Sequence, residues 1–202
     1  QLRALLRAGK EYPTLQIMLP MVSTLEEVNA VKTLIQTQAK LLGLTAENLP
    51  ALGIMIEVPA AVMIAEKLAS EVDFFSIGTN DLAQFTFACD RGNPRLTERY
   101  DVLSSPFLKM MGDIVAKADA AGVYCSVCGE MASNPVEAMA LIGLGYRNLS
   151  SSGASYGRVK SMIRSVNVEE VTDYVKTLLK SQKRTLRPQL LAYAYDHGIE
   201  IY

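Results

Sequence analysis

The chain has 202 residues, half of them apolar, a formal net charge of −1 and three cysteines. That is enough apolar material for one sizeable core, and it excludes a disordered tail; near-neutral charge without a dense Lys/Arg block argues against a nucleic-acid partner. No apolar run reaches the roughly 20 residues that span a bilayer, the first residues lack a signal peptide's apolar centre, and three cysteines fit a reducing compartment. The expectation is a cytoplasmic protein without a membrane partner.

Taken in order, residues 2–8 are apolar on one side and basic on the other through Arg3 and Arg7, which reads as the tail of a helix. Residues 15–21 read as a strand. Thr24 and Glu27 form a capping box that opens a helix to about Leu42, and Gly43 stops it. Residues 53–57 form a second strand ending in the carboxylate of Glu57, and Pro59 starts a helix that ends near Ser70. Residues 73–91 begin as a buried strand and break at Gly78 into small and polar side chains. Residues 89–105 form a long, charged connection able to reach over a site.

Phe107, Leu108, Met111, Ile114, Val115 and Ala118 recur at helical spacing until Gly122, a core stripe. A fourth strand at 123–127 leads to Cys128 and Gly129. Asn134 then caps a helix that Pro135 starts and Gly143 and Gly145 close. A fifth, short strand fits residues 147–150. Ser155 and Asn167 read as N-caps of two further helices, the second with Glu170 in capping-box position and Val171, Tyr174, Val175 and Leu178 on one face. The basic residues of 180–187 read as a solvated face, the segment beyond Pro188 as helix to Tyr195, and residues 199–202 as an extended tail.

Strands alternating with helices imply a parallel sheet, and the residues with chemistry sit just after the strands. In a (β/α)8 TIM-type barrel that end is the catalytic face. A doubly wound sheet also alternates, but no glycine-rich dinucleotide fingerprint follows any strand. A complete barrel takes about 250 residues and eight strands. The expected fold class is therefore α/β, the later part of such a barrel with about five strands, over residues 1–180, followed by a helical and extended tail at 181–202.

Glu57 and Asp81 end successive strands, so both carboxylates can meet on one hard cation such as Mg²⁺; alternatively each caps the helix that follows. Gly78 permits close backbone approach, Thr79 and Asn80 offer hydrogen bonds, and Arg91 offers a planar fork for phosphate or carboxylate. Cys128 is either a small buried hydrophobe or a thiol acid at the barrel mouth. Cys125 and Cys128 match a C-x-x-C spacing, yet residues three apart on a strand face opposite sides, which disfavours a redox or zinc pair. The single histidine, His197, lies far from every strand end, so its imidazole reads as solvated or locally bonded.

The stretch of residues 73–91, with Ser76-Ile77-Gly78-Thr79-Asn80-Asp81-Leu82, Gln84 and Arg91, resembles the signature of the phosphoenolpyruvate-utilising enzymes. Gly53-Ile54-Met55-Ile56-Glu57-Val58-Pro59-Ala60-Ala61 and Cys128-Gly129-Glu130-Met131-Ala132 resemble that family's other landmarks, and the similarity runs from about residue 1 to about 180. Within the family, the form at Cys128 and Asp90-Arg91-Gly92-Asn93 look like enzyme I of the phosphotransferase system rather than pyruvate phosphate dikinase or phosphoenolpyruvate synthase; residues 142–150 and the tail resemble its nitrogen-related branch, with the sugar-transport branch left open. The resemblance implies Mg²⁺-dependent transfer of phosphoryl from phosphoenolpyruvate to a histidine on a separate upstream domain. Pyruvate is released and a small phosphocarrier protein takes the phosphate. By match, Glu57 and Asp81 would hold the metal, Asn80 and Arg91 would bind phosphoenolpyruvate, and Cys128 would protonate the enolate; Gly129 would leave room for substrate and Thr79 would support Asn80.

The phosphohistidine domain and several substrate-binding arginines of the family fall outside these residues, so the fragment alone is expected to be defective in turnover. Residues 101–106 and Ser133-Asn134 depart from the enzyme I pattern, which bears on loop conformation. Two other readings stand beside the enzyme: a homodimerisation or binding module, since an incomplete barrel exposes strand edges and apolar surface, and a dikinase-type sister enzyme acting on ATP.

Overall fold

The computed structural model describes residues 1–93, 95, 99–181 and 183–202. Four strands, β1 (Gln16–Leu19), β2 (Ala51–Ile56), β3 (Phe74–Gly78) and β4 (Tyr124–Cys128), form one parallel sheet in the order β1-β2-β3-β4. Each strand lies beside its predecessor in sequence, with no reversal of order. That is the progression of a (β/α) barrel and not of a doubly wound sheet, whose order turns back at a switch point. The chain is therefore α/β, an arc of such a barrel.

The expected fifth strand contracts to a single parallel bridge, Val127 to Leu149, flanked by hydrogen bonds from the Val127 amide to the Asn148 carbonyl and from the Ser150 amide to the Val127 carbonyl. Its place next to β4 continues the same order.

Alternation divides each strand between two faces. Ile54, Phe75 and Cys125 form one cross-strand row and Ile56, Ile77 and Val127 the next, all buried against the covering helices. The opposite face carries Met18, Met55, Ser76, Ser126 and Cys128. Gly53 sits opposite Phe74 in the ladder, and a Cβ there would fall inside the Phe74 ring, so glycine makes room for the aromatic.

The helices are α1 (Leu2–Glu11), α2 (Leu25–Leu42), α3 (Pro59–Met63), α4 (Ala65–Ala69), α5 (Thr79–Phe87), α6 (Ser105–Ala120), α7 (Pro135–Leu144), α8 (Gly153–Ser165), α9 (Val168–Leu178) and α10 (Arg187–Asp196). The Thr24–Glu27 capping box opens α2, and Gly43 closes it in a left-handed conformation. Asn167 caps α9 by accepting from the Glu169 and Glu170 amides. Helix α7 is apolar all round because it is enclosed: α6, α8, α9 and α10 all pack on it.

Several local expectations change. The helix expected from Pro59 to Ser70 breaks at Ile64 (φ −109°, ψ 16°) into α3 and α4. The polar stretch after Gly78 is itself helical as α5, closed by Ala88 in a left-handed conformation. Gly143 does not end α7; it lies inside it, and a Cβ there would stand 2.6 Å from Val175 Cγ2, so glycine sets the close crossing of α7 and α9. Ser152, not Ser155, precedes α8; Ser155 is buried and takes a hydrogen bond from the Ser152 hydroxyl at 3.1 Å. Beyond α9, Leu186, Leu190, Ala194, Ile199 and Ile201 are buried in the same core as the sheet. Arg187 is no part of a solvated face: it pairs with two carboxylates. Part of the connection expected at 89–105, residues 94 and 96–98, lies outside the described residues.

Candidate active site

The strand ends gather the predicted residues. Gly78 and Cys128 are ladder partners, so β3 and β4 deliver Thr79, Asn80 and Asp81 on one side and Cys128 and Gly129 on the other. Two hydrogen bonds lock the junction: Thr79 Oγ1 donates to the Cys128 carbonyl at 3.1 Å, and the Glu130 amide donates to Asn80 Oδ1 at 3.0 Å.

Gly129 has φ +99°, and a Cβ on it would stand 2.5 Å from Thr79 Oγ1 and 3.1 Å from Asn80 Oδ1. Only glycine fits there, on both backbone and steric grounds. Cys128 is half-buried, and its Sγ accepts from the Ser76 hydroxyl and donates to the Ile77 carbonyl, each at 3.4 Å. Cys125 points into the core instead, where burial, reinforced by Asp119, pushes its thiol up to about 12. The two sulfurs serve different faces of the sheet.

Glu57 follows β2 and is 4% exposed. Its Oε1 accepts from the Met21 amide at 2.8 Å, across from the end of β1, and Met21 holds the uncommon φ of 57°. Among the described residues no protein donor reaches Oε2, which is the atom that a Cβ on Gly78 would meet at 2.9 Å. Gly78 thus lets the carboxylate pass over the end of β3. Asp81, in the first turn of α5, faces Arg91 with Asp81 Oδ1 3.9 Å from Arg91 Nη2, and the Arg91 amide donates to Gln84 Oε1 at 3.2 Å. Among the described residues no cluster of three or more His, Cys, Asp or Glu forms a metal cage. The donor set fits Mg²⁺ nonetheless, because that ion is commonly held by one or two carboxylates with water and substrate oxygens completing its shell.

Thr79, Asn80 and Arg91 border a cleft of about 450 Å³. Glu57, Asp81 and Cys128 do not line it; they stand beside it at the strand ends. The far wall holds three residues that sequence reasoning did not place in a site: Asp101, Glu137 and Arg187. Arg187 Nε and Nη2 donate to Asp101 Oδ2 and Oδ1 at 2.9 and 2.8 Å, and Nη2 also donates to Glu137 Oε1 at 2.7 Å. Burial works to raise the Asp101 pKa, but hydrogen bonds from Arg187, Thr185 and the Leu103 amide prevail and hold it below the usual carboxylate value. For Glu137 burial prevails over Arg187, and the pKa is raised. His197 lies at the end of α10, stacked on Tyr193 with its Nδ1 2.9 Å from the Tyr193 carbonyl oxygen.

A family described as "PEP-utilising enzyme, PEP-binding domain" matches residues 1–168. The chain belongs to this family. A protein of Salmonella typhimurium named "Phosphoenolpyruvate-dependent phosphotransferase system" is 38% identical to it over 98% of the chain and 27% of that protein. A phosphoenolpyruvate-protein phosphotransferase of Latilactobacillus sakei is 39% identical over 88% of the chain and 31% of its own length. The chain thus spans about a quarter to a third of these curated relatives. A citrate lyase from Burkholderia xenovorans superposes on the whole chain and 69% of its own with a TM-score of 0.59 at 19% identity, a likeness of fold alone. No described helix is long and apolar enough to cross a membrane.

Proposed function

We propose that this PEP-utilising domain binds phosphoenolpyruvate at the ends of β2, β3 and β4, passes its phosphoryl group to a histidine on a separate domain, and releases pyruvate. The observation that carries the reading is the junction of β3 and β4. There Asn80 and Cys128 are fixed on adjoining strand ends through the Thr79 and Glu130 hydrogen bonds, with Gly129 admitting the Thr79 hydroxyl and the Asn80 amide close against the backbone.

Asn80 and Arg91 hold the substrate's phosphate and carboxylate oxygens, Arg91 through a planar fork suited to them. Glu57 and Asp81 would hold Mg²⁺, which when bound supplies positive charge to offset that on the phosphoryl group. The bond from phosphorus to the enol oxygen breaks as the histidine nitrogen takes the phosphoryl group. Cys128, whose Sγ lies 3.4 Å from the Ile77 carbonyl oxygen, gives its S–H proton to the enolate's methylene carbon, so that a C–H bond forms and pyruvate results. The thiolate recovers a proton from water.

A small phosphocarrier protein receives the phosphate from the histidine, and residues 142–150 support the nitrogen-related branch of enzyme I. The association reading draws on Met18 and Tyr124, partly exposed on the open face of the sheet, which a second copy would cover.

Calorimetric titration of phosphoenolpyruvate with and without Mg²⁺ tests the site. Mg²⁺-dependent heat that disappears in Glu57→Ala is expected, and Cys128→Ala should keep that heat while pyruvate release by the full-length protein falls about 10²- to 10⁴-fold. Heat indifferent to both Mg²⁺ and Glu57→Ala would sink the metal and substrate assignments. Silence throughout would favour the association module.

A further inference from the structure

Beside the candidate active site lies a second cleft, of about 350 Å³, separated from the first by Phe87, Tyr100 and Asp101, which wall both. Its floor is the N-terminus of α6, a 16-residue helix. The first-turn amides of a helix carry partial positive charge and lack intrahelical partners.

Ser104 stands at the N-cap, where a serine hydroxyl normally accepts from an amide of the first turn. Here it makes no such bond. Ser104 is only 6% exposed, its Oγ has no hydrogen-bond partner among the described residues, and the residue lines the cleft. Buried hydroxyls are rarely left unpaired, because the hydrogen bonds lost to water are then not replaced. An unpartnered buried hydroxyl at a helix N-terminus, on a residue that lines a cleft, marks the place of a ligand that accepts hydrogen bonds.

The rim states the ligand's charge. Arg99, Lys109, Lys183 and Arg184 line the cleft from three separate segments of the chain. The carboxylate in its wall, Asp101, is already committed to Arg187.

From the orphaned Ser104 hydroxyl, the α6 N-terminus and the four cations, we infer a second anion-binding site that takes a phosphate group, free or as a small phosphomonoester. The Ser104 hydroxyl donates to one phosphate oxygen, the Ser105 and Phe107 amides, which flank the amide-less Pro106, face another, and the cations offset the charge. This site is independent of the phosphoenolpyruvate reading, since none of the residues assigned to that substrate lines it.

The test titrates inorganic phosphate and, in parallel, glycerol phosphate into the chain without Mg²⁺, reading calorimetric heat and phosphorus NMR line width. Four proteins are compared: wild type, Ser104→Ala, Lys183→Glu/Arg184→Glu and Arg91→Ala. Binding is expected to weaken about tenfold in the charge-reversal variant and severalfold in Ser104→Ala, and to hold in Arg91→Ala. Tighter binding of one probe identifies the ligand as free phosphate or ester. Absence of binding overturns the proposal. So does binding indifferent to Ser104→Ala, which would be surface charge only, or a loss in Arg91→Ala as large as in the charge reversal, which would put the phosphate in the first cleft. The substituted lysine and arginine are exposed, so their replacement leaves the fold standing.

Discussion

The two walls of the candidate cleft are built on different physical plans. One is the junction of β3 and β4, where Thr79, Asn80 and Glu130 line the cleft, backed by Cys128 and Gly129, because the parallel ladder sets Gly78 opposite Cys128. Its hydrogen bonds run between side chains and backbone and involve no charge. The other is the Arg187 clasp, in which one guanidinium from the start of α10 holds Asp101 and Glu137 from positions 86 and 50 residues away. No ladder aligns those three residues. The first wall is rigid through sterics and register, and the second depends on charge. A steric change should therefore damage the first most, and a charge change the second.

The largest expected effect is at Gly129. Substitution by alanine demands a left-handed backbone from a residue that resists it and drives Cβ to 2.5 Å from Thr79 Oγ1. A loss of about 2–4 kcal/mol in unfolding free energy is expected, together with loss of phosphoenolpyruvate binding. Urea denaturation and calorimetry on the same sample check both; unchanged stability and affinity in Gly129→Ala would show that this wall is not sterically closed.

Arg187→Ala comes next. It leaves Glu137 buried without its cation and frees Asp101. Breaking a buried pair costs about 3–5 kcal/mol, and since Arg187 is one-third exposed we expect about 2 kcal/mol here. Arg187→Lys should recover only part of that, because a point charge cannot reproduce the bidentate contact with Asp101. The check is the urea midpoint at constant slope. Full recovery by lysine would reduce the clasp to a generic charge interaction.

The same contrast explains what the sequence made legible. The capping box at Thr24, the N-cap at Asn167, the proline-led helices and the strand-end positions of Glu57, Asn80, Asp81 and Cys128 are local patterns, and parallel β/α alternation then fixes where they meet. Gly129 could be read as special because it follows a strand-end thiol. The clasp left no such trace. Glu137 looks like an ordinary first-turn acid of α7, Arg187 like one more cation in a basic run, and Asp101 like loop. Their meeting depends on how the last helix returns to the core through Leu186, Leu190 and Ala194, a tertiary event without sequence periodicity. Gly143 misled for the same reason: a glycine that ends a helix and one that admits a neighbour look alike until Val175 is seen against it.

The smallest expected effect is also the most specific to the clasp, because its two carboxylates respond to pH in opposite directions. Asp101 has a lowered pKa in the fold, so the stability it contributes is complete above its unfolded pKa of about 3.9 and is lost as pH falls through the lower folded value. Glu137 has a raised pKa, so its contribution is complete below its unfolded value of about 4.3 and is lost as pH rises through the higher folded one. Together they give a shallow optimum between the two unfolded values. Glu137→Gln should flatten the decline on the neutral side and keep the acid limb, while Asp101→Asn should do the reverse. Unfolding midpoints from acid to neutral pH, taken as differences from wild type, read out each limb. Parallel profiles for wild type and Glu137→Gln would mean that Glu137 is not held against its own burial, and the charge dependence of the second wall would then rest on the Arg187–Asp101 pair alone.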